Sequence, residues 1–499
     1  MTDKIKIFNQ LKILLNSHNE WLLVHHSGKT FALQNNELEL EETKNKTLFS
    51  FLDEKGFQTW RVVEAEIKDE KIALDLSKNF GKEKTFIELI PRAKAEMLGE
   101  AVELARLEKA NKIARLIVSE IENTKLIRVE LNKENGRSAQ IILENKLGKQ
   151  TAVLSDVSES LTPEILISSA IIWLAKLQRR KKNPIDEIWI LSGKSKAKNL
   201  QKLHACLRNN WKSKVRLLEG KRQKVKGKKQ DSQVEIVKLK PLEINNLWRY
   251  KPTKLHFAKD LELSKISREI IKLSPHKIDY LFSKNGETLR YLGLPFVRVR
   301  KVFEEEKAWF GIDKSRRILD ENSYEDFYEL FENIKKYRRF DAENKQHAFY
   351  QTSTEAWLES ILRENIKLLD ANLILSPIYN QFRTSRDKID LLALRKDGRL
   401  VIIELKVSPD REMIFQAVDY WRKIELQRRK GILNKAEIFW ELEISDKPTI
   451  VYLVAPTLSY HRDFNFLAKT ISRDIDIFRF DLAEKWRENL QVLQRKNIC

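Results

Sequence analysis

Hydrophobic and polar residues alternate over several short stretches near the beginning of the chain. Residues 20–26 and 29–33 lie on either side of a Ser27-Gly28 pair, and together they predict a β-hairpin. Similar alternation continues to about residue 76 and predicts further strands. A helical spacing then begins at Pro91, since proline is favoured in the first turn of a helix. The chain therefore opens with a β-rich region that a long helix follows.

Strand and helix patterns alternate through the rest of the chain. Apolar stretches at 126–131, 139–143 and 185–191 predict strands separated by helical segments, which is an α/β pattern. Short strands and helices are mixed in 235–344. From about residue 345 the pattern becomes helix, three strands, helix, strand, helix, strand. No unit of sequence repeats along the chain.

These changes of pattern predict a multidomain protein of the α+β and α/β classes. A length of 499 residues is too great for one hydrophobic core, because domains commonly contain about 100–200 residues. The pattern divides the chain into a β-rich N-terminal domain (1–90), a long helix with an α/β domain (91–220), a basic linker (221–234), a mixed α/β domain (235–344) and an α/β domain with a central mixed sheet (345–499).

Positive charge is concentrated in one part of the chain. The sequence has 93 Lys and Arg residues against 72 Asp and Glu residues, a net charge of +21. Residues 176–229 contain 19 of the basic residues and three acidic ones, so +16 of that charge lies there. Such runs bind polyanions by displacing counterions, which favours a nucleic-acid partner; a solvated loop is the alternative. The run predicted to contact nucleic acid contains Lys221, Arg222, Lys224, Lys226, Lys228 and Lys229.

Other features narrow the class of protein. No stretch of 18 apolar residues occurs, and the basic run lacks the apolar face of a membrane-binding helix. The first residues lack the apolar region of a secretory signal. With only Cys206 and Cys499, a disulfide scaffold and a cysteine-rich zinc site are excluded. We expect a cytoplasmic protein without a membrane partner; its oligomeric state stays open, a dimer being one option.

The candidate chemistry lies in the last segment. Asp390 enters a predicted strand, a turn at 396–399 reverses the chain, and the next strand contains Glu404 and Lys406. Side chains alternate along a strand, so Glu404 and Lys406 share one face about 6–7 Å apart. Two charges in an apolar strand are costly unless they are compensated, and a divalent cation between Asp390 and Glu404 would compensate them.

Oxygen ligands of this kind select Mg²⁺, with Mn²⁺ as a substitute, and they suit phosphodiester hydrolysis. Lys406 would stabilise the charge that develops on the phosphorus centre. A general-base role for Lys406 is the less favoured alternative, because it requires a pKa lowered by several units.

The order and spacing of these residues resemble a known superfamily. Asp390 is followed after fourteen residues by Glu404-Leu405-Lys406, and Gln416-Ala417-Val418-Asp419-Tyr420 comes ten residues later. This pattern resembles the PD-(D/E)XK nucleases, in particular the RecB-like and NucS-like branches with a QxxxY element. Residues 354–362 are similar to the helix that supplies another carboxylate in those branches, where Glu355 is the first choice and Glu359 the second. Ile389 departs from the superfamily, since many members have proline there.

The resemblance implies a restriction-endonuclease-like fold for 345–499 and a Mg²⁺-dependent nuclease that acts on DNA in repair or in defence against foreign DNA. The implied catalytic residues are Glu355, Asp390, Glu404, Lys406, Gln416 and Tyr420, of which Asp390, Glu404 and Glu355 bind the metal. The alternative is a catalytically inactive nucleic-acid-binding or scaffold protein. The strandedness of the DNA, a preference for RNA and the mode of cleavage stay open.

Further residues are expected to contact the substrate. Basic side chains near the site could grip phosphates or be solvated; they are Arg383, Arg386, Lys388 and Arg411. The stretch 337–340 (Tyr-Arg-Arg-Phe) is suited either to stacking single-stranded bases or to a core. Glu144-Asn145-Lys146 has the same Glu-x-Lys pattern as Glu404-Leu405-Lys406, but Glu130 occupies the upstream position where the pattern requires Asp. We therefore expect 91–220 to contain, at most, a degenerate nuclease-like fold.

Overall fold

A computed structural model describes residues 2–26, 30–43, 46–53, 56–78, 81, 83–92, 95–222, 234–252, 262–283, 286–302, 305–312, 316–376 and 389–498. These residues form a multidomain α+β protein with four β-sheets, of which two are mixed. Within the described ranges, no helix combines the length and apolar composition that crossing a bilayer requires. The residues predicted to bind nucleic acid that lie outside these ranges are Lys224, Lys226, Lys228, Lys229, Arg383, Arg386 and Lys388.

The chain divides into two compact units. The first unit contains Met1–Leu200 and Ser213–Lys240, and the second contains Gln201–Lys212 and Pro241–Cys499. Two of the four described sheets belong to each unit. The five segments proposed from the sequence remain predictions as separately folding domains.

The first sheet of the first unit is antiparallel. Its described strands follow the order β2-β1-β7-β6-β5-β4-β3. The predicted hairpin is confirmed, because β1 and β2 pair with Trp21 opposite Leu33. Its helix and strands are α1 (Thr2–Asn16), β1 (Glu20–His25), β2 (Thr30–Gln34), β3 (Leu38–Thr43), β4 (Lys46–Asp53), β5 (Gly56–Lys68), β6 (Lys71–Lys78) and β7 (Glu83–Pro91).

The second sheet of the first unit is mixed, and we call it the first mixed sheet. Its described strands follow the order β13-β12-β11-β10-β9-β8, in which β10, β11 and β12 run parallel. Helices provide the crossovers that parallel neighbours need. The elements are α2 (Ala95–Glu120), β8 (Thr124–Leu131), β9 (Ser138–Asn145), β10 (Gln150–Asp156), α3 (Pro163–Gln178), β11 (Ile188–Gly193), α4 (Lys194–Ala205, which ends in the second unit), β12 (Val215–Arg222) and β13 (Val234–Lys238).

Two sequence predictions in this unit are wrong in detail. Pro91 does not begin the long helix: it ends β7, opposite Trp21, and α2 starts only at Ala95. Proline is tolerated at a strand end, so its presence did not by itself indicate a helix. Lys221 and Arg222 do not belong to a linker, because they end β12, where Lys221 pairs with Glu235 of β13.

The first sheet of the second unit is an antiparallel meander, β14-β15-β16-β17-β18 in the described residues. Aromatic side chains of α7 pack on its apolar face; Phe331 lies against Tyr291 and Phe296. The elements are α5 (Asn209–Lys212), α6 (Lys265–Lys272), β14 (Ile278–Ser283), β15 (Gly286–Tyr291), β16 (Leu294–Val302), β17 (Glu305–Phe310), β18 (Arg317–Ile318), α7 (Tyr324–Tyr337) and α8 (Ala348–Gln351).

The other sheet of the second unit, the second mixed sheet, follows the predicted order of helix, three strands, helix, strand, helix, strand. One more strand, β24, was missed because its residues are mostly exposed and polar, as at a sheet edge. The elements are α9 (Thr354–Glu364), β19 (Leu373–Leu375), β20 (Leu391–Arg395), β21 (Leu400–Leu405), α10 (Met413–Arg429), α11 (Ile432–Lys435), β22 (Ile450–Pro456), α12 (Phe464–Ala468), β23 (Ile477–Leu482) and β24 (Val492–Asn497).

The two mixed sheets share one topology. In both, the first three described strands form an antiparallel meander, the third, fourth and fifth are parallel, and the last is antiparallel. A helix precedes each meander, and helices connect the parallel strands. The second and third strands are joined by matching turns, in which Gly148 bonds to Asn145 and Gly398 bonds to Arg395. Both glycines have positive φ, 76° and 77°, and they are 250 residues apart.

Candidate functional site

The two carboxylates predicted to bind a metal lie at one end of the β20–β21 pair. The register pairs Leu391 with Ile403, so Asp390, which precedes β20, lies opposite Glu404 on β21. The backbone N–H of Leu405 donates a hydrogen bond to Oδ2 of Asp390 over 2.8 Å. This bond fixes the Asp390 carboxylate against β21, beside Glu404.

Glu404 is buried, and among the described residues only one of its two carboxylate oxygens has a partner. Its side chain is 3% exposed, and its Oε2 atom meets no hydrogen-bond donor among the described residues. Burial raises the pKa of Glu404 well above its usual range; Asp390 raises it further, and Lys406 opposes the rise. A buried carboxylate oxygen without a donor costs free energy, typically about 1–3 kcal/mol or more. The site is therefore unfavourable for the metal-free protein.

Lys406 lies at the centre of the charged cluster. Its backbone N–H bonds to the carbonyl of Val454 at 3.0 Å, which holds it beside β22. Its Nζ atom lies 3.4 Å from Oε1 of Glu404, 3.3 Å from Oδ2 of Asp410 and 3.7 Å from Oε2 of Glu355. Burial lowers the pKa of Lys406, but the surrounding carboxylates outweigh burial and raise the pKa above its ordinary value. A protonated ammonium argues against the general-base alternative.

The helix α9 brings Glu355, rather than Glu359, to this cluster. Ser353 precedes α9 with a φ of 52°, and Glu355 extends from the first turn to Lys406 while remaining 42% exposed. Glu359 is buried one turn later, where it pairs with Arg290 at 3.4 Å and with Arg363 at 3.7 Å. The second choice made from the sequence is therefore engaged in a separate ion-pair network.

Asp410 belongs to the cluster, although it is not among the residues predicted from the sequence. It lies between β21 and α10, and its Oδ1 accepts a hydrogen bond of 2.6 Å from the N–H of Glu412. The other oxygen, Oδ2, faces Lys406. A loop carboxylate has no periodicity that reveals its direction; its position four residues after Lys406 is the only signal in the sequence.

Gln416 and Tyr420 lie one turn apart on α10, and both are half-buried. The Oε1 atom of Gln416 is buried without a hydrogen-bond partner in the part of the chain that the structure describes. Nζ of Lys423 lies 5.9 Å from the centre of the Tyr420 ring. Arg411 is half-buried just before α10, and Lys221 is exposed on β12 of the first unit. The roles of these residues stay predictions.

A divalent metal fits the oxygen donors of this cluster. Among the described residues, no group of three or more His, Cys, Asp and Glu side chains is arranged to hold a metal ion. The ammonium of Lys406 lies between the carboxylates of Glu355, Glu404 and Asp410. Mg²⁺ commonly takes only one or two protein carboxylates and keeps several waters, so three converged ligands are not required. The free Oε2 of Glu404, with Asp390 opposite, satisfies that smaller requirement.

The first mixed sheet lacks these charges at the corresponding positions. Counting 250 residues back from the matched turns, Asp390 and Glu404 correspond to Gln140 and Leu154, which pair across β9 and β10. Lys406 corresponds to Asp156, whose Oδ2 lies 2.6 Å from Nζ of Lys196. The helices α3 and α10 begin at the same offset, which aligns Gln416 and Tyr420 with two buried apolar residues, Leu166 and Ala170. The Glu144 motif lies at the turn, away from the corresponding site.

Comparisons with known proteins add little to this geometry. No protein-family model matches the chain. No curated protein matches it either. Among solved structures, the chain matches EndoMS in its apo form, with 12% sequence identity over 39% of this chain and 88% of that chain. The TM-score is 0.15, which is too low to support an argument from shared fold, so the interpretation of the site depends on its own residues.

Proposed function

We propose that this protein is a Mg²⁺-dependent nuclease that hydrolyses phosphodiester bonds of DNA, in repair or in defence against foreign DNA. The observation that supports this most is the buried Glu404, whose Oε2 has no donor among the described residues and which lies opposite Asp390 beside Lys406. Carboxylates that repel each other in an apolar strand are retained at a cost, and binding a cation removes that cost.

The roles follow from the chemistry of the side chains. Asp390 and Glu404 would hold Mg²⁺, with the partly exposed Glu355 as a further oxygen donor. When bound, the ion lowers the pKa of a coordinated water and polarises the phosphate. Lys406 stays protonated and stabilises the negative charge that develops on the phosphate oxygens. Asp410, 3.3 Å from Nζ of Lys406, would help to hold the ammonium in place.

The remaining predicted residues would position the substrate. Gln416 has a buried carbonyl oxygen that can accept a hydrogen bond from a water, and Tyr420 lies on the same side of α10. Arg411 can contact a phosphate beside the site, since guanidinium groups bind phosphate oxygens in pairs. The side chains that we propose, from the sequence, to contact the phosphate backbone of the DNA are Arg383, Arg386, Lys388, Lys221, Arg222, Lys224, Lys226, Lys228 and Lys229.

Incubation of the full chain with single-stranded, double-stranded and branched DNA, and with RNA, tests the proposal. We expect cleavage of DNA with Mg²⁺ or Mn²⁺ and none with EDTA. Asp390→Asn and Glu404→Gln should reduce cleavage to background while DNA binding in EDTA is retained, because both changes remove ligand charge without changing side-chain size.

Asp370→Asn is the matched control. Asp370 is a buried carboxylate at the opposite end of the same sheet, where it accepts a hydrogen bond from Tyr452. This variant should cleave as the unaltered protein does. Equal cleavage by the unaltered protein and by a pure Glu404→Gln preparation would refute the assignment of the site. Binding without any cleavage would favour the inactive scaffold protein.

A further inference from the structure

An open cleft with a volume of about 630 Å³ lies in the second unit beside α9. Pockets of about 300–1,000 Å³ hold small molecules or parts of larger ligands. The described lining comes from the end of α7, the segment that follows it, the face of α9 that carries Trp357 and Ile361, and residues 277, 291, 292 and 487. Of the described lining residues, none belongs to the cluster around Lys406. The cleft is therefore distinct from the proposed metal site.

The wall of the cleft is strongly basic. Its basic residues are Lys277, Lys335, Lys336, Arg339 and Arg487, and its acidic residues are Glu332 and Asp341. Both carboxylates are already engaged, Glu332 with Lys335 at 2.7 Å and Asp341 with Arg339. The described lining thus carries a net charge of +3, which attracts an anion.

Two guanidinium groups pack on Trp357, one of the residues that line the cleft. The guanidinium carbon of Arg338 lies 4.7 Å from the Trp357 ring centre, and that of Arg487 lies 5.2 Å away. Arg338 is fully buried and, among its described contacts, donates to backbone carbonyls rather than to a carboxylate. Burial lowers the pKa of Arg338, and the charge of Arg487 lowers it further. An anion in the cleft would relieve this repulsion.

Arg487 also has an unused donor. Its Nε atom is buried and meets no hydrogen-bond acceptor in the described part of the chain. Its guanidinium carbon lies 4.5 Å from the Trp486 ring centre and 4.8 Å from that of Tyr350, so the side chain is held by ring contacts. A preformed guanidinium of this kind suits a phosphate oxygen.

The structure separates the roles within the stretch 337–340. The Tyr337 ring stacks on His347 with 3.7 Å between ring centres, and Arg338 is buried. Arg339 and Phe340 instead line the cleft, and Phe340 is 45% exposed. An exposed aromatic ring beside several cations is the combination that binds bases and phosphates of single strands.

We propose that the cleft binds one nucleotide of a single-stranded nucleic acid, with its phosphate near Lys277, Lys336 and Arg487 and its base stacked on Phe340. A single strand is required because the faces of a base in a duplex are covered by its neighbours. This inference rests on the proposed function only for the choice of DNA. Glu355 and Trp357 leave different sides of α9, so the cleft and the proposed metal site lie on different sides of this helix.

Binding of fluorescein-labelled oligothymidylate to the full chain in EDTA tests the cleft without cleavage. Phe340→Ala should weaken binding about 10-fold, since stacking of one base commonly contributes this much. Tyr324→Ala is the matched control, because Tyr324 is an exposed aromatic residue of α7 outside the cleft, and it should bind as the unaltered protein does. A duplex of the same length should bind equally to both variants.

The charge of the cleft is tested separately. Lys277→Gln with Lys336→Gln should reduce the slope of log affinity against log salt by about 0.7 for each phosphate that is no longer bound. Lys345→Gln with Lys469→Gln removes two exposed charges elsewhere and should leave the slope unchanged. If Phe340→Ala fails to fold, the salt slope of the lysine variant alone decides the matter.

Several outcomes would overturn the proposal. The proposal is refuted if Phe340→Ala binds oligothymidylate with unaltered affinity and the double lysine variant keeps the same slope of log affinity against log salt. Competition by inorganic phosphate that equals competition by thymidine monophosphate would also refute it, because it would reveal an anion site without base contact. A chain that cleaves DNA while these variants bind normally keeps the nuclease proposal and refutes this one. Binding that depends on the cleft, without any cleavage of DNA, would keep this proposal and refute the nuclease proposal.

Discussion

The two mixed sheets have the same strand topology, but they differ in the residues at the position of the proposed metal site. Both have a meander, parallel strands joined by helices, and a glycine turn at the same offset. In the first mixed sheet, Gln140 and Leu154 occupy the positions at which the second has Asp390 and Glu404. The fold therefore does not require charged side chains at these positions. In the second mixed sheet they persist although they are unfavourable, which is the behaviour expected of a functional site.

Replacing Glu404 by the residue at the corresponding position of the first mixed sheet should have the largest effect on DNA cleavage. Glu404→Leu introduces the side chain found at position 154 of the first mixed sheet, and we expect DNA cleavage with Mg²⁺ to fall to background. In EDTA the same variant should resist denaturant better than the unaltered protein, because a buried charge is replaced by an apolar group of similar size. Cleavage assays and urea unfolding measure the two effects.

The reverse exchange provides the control. Leu154→Glu places an unpaired carboxylate in a buried strand and should destabilise the first mixed sheet. A Glu404→Leu variant that is less stable than the unaltered protein in EDTA would contradict the view that Glu404 is retained for function. Retained cleavage by that variant would contradict it as well.

Truncation in the first mixed sheet should affect stability alone. Leu154→Ala removes a fully buried side chain and should lower the free energy of unfolding by about 2–5 kcal/mol. Cleavage per folded molecule should not change, since no proposed catalytic residue lies in this sheet. Urea unfolding, followed by activity measured below the transition, checks both statements. A loss of turnover in fully folded Leu154→Ala would show that the first mixed sheet contributes to catalysis.

The pH dependence of stability should also distinguish the sheets. The pKa of Glu404 is raised in the folded protein, so in EDTA the folded state holds its proton more tightly than the unfolded state does. The contribution of Glu404 to stability should therefore be greatest below the ordinary pKa of glutamate, near 4.5, and fall as pH rises above it. Between that pH and the raised pKa of Glu404, the free energy of unfolding should fall, relative to that of Glu404→Leu, by up to about 1.4 kcal/mol per pH unit.

Unfolding measured from pH 4 to pH 8, with and without Mg²⁺, tests this expectation. The dependence should become weaker when Mg²⁺ is present, because the cation favours the charged carboxylate. Leu154→Ala should show the same pH dependence as the unaltered protein. If Glu404→Leu also follows that dependence in EDTA, another group is responsible for it.

Much of the second mixed sheet could be predicted from the sequence, because its strands are short apolar runs with a clear turn between them. The cluster around Lys406 was recognisable since strand alternation fixes the directions of Glu404 and Lys406. Asp410 was missed because a loop has no periodicity, and β24 was missed because an exposed edge strand is polar. The choice between Glu355 and Glu359 needed Arg290, which is distant in sequence.

The shared topology was even harder to predict. The sequence has no repeated unit, and the Glu144 motif that suggested a second nuclease-like fold lies at the turn, ten residues before Leu154. Strand order depends on apolar positions and turns, which many residue types satisfy, whereas the chemistry depends on particular side chains. The two mixed sheets therefore agree in strand order, in the glycine turn and in the register of β9–β10 with β20–β21, while they differ at the residues that a sequence comparison would seek.

The smallest expected effect concerns the connection between the last two strands of each sheet. Residues 223–233 join β12 to β13 and have four Lys residues and one Asp, whereas 483–491 join β23 to β24 with two basic and two acidic residues. If the first connection contacts phosphates, Ser at Lys224, Lys226, Lys228 and Lys229 should weaken binding to all DNA sequences alike. The slope of log affinity against log salt should then decrease by about 0.7–0.9 for each phosphate that the variant no longer binds.

Lys221 and Arg222 stay unaltered in this variant because they belong to β12, so any change reflects the connection itself. Turnover at saturating DNA should be retained, since phosphate binding by this connection contributes to affinity rather than to the transition state. Ser at Lys485 and Arg487 of the other connection is not a neutral control, because Arg487 lines the cleft. Lys345→Gln with Lys469→Gln serves instead. An unaltered salt slope in the Ser variant would leave solvation as the role of the basic run, and the side chains that bind DNA would then lie nearer to Arg411.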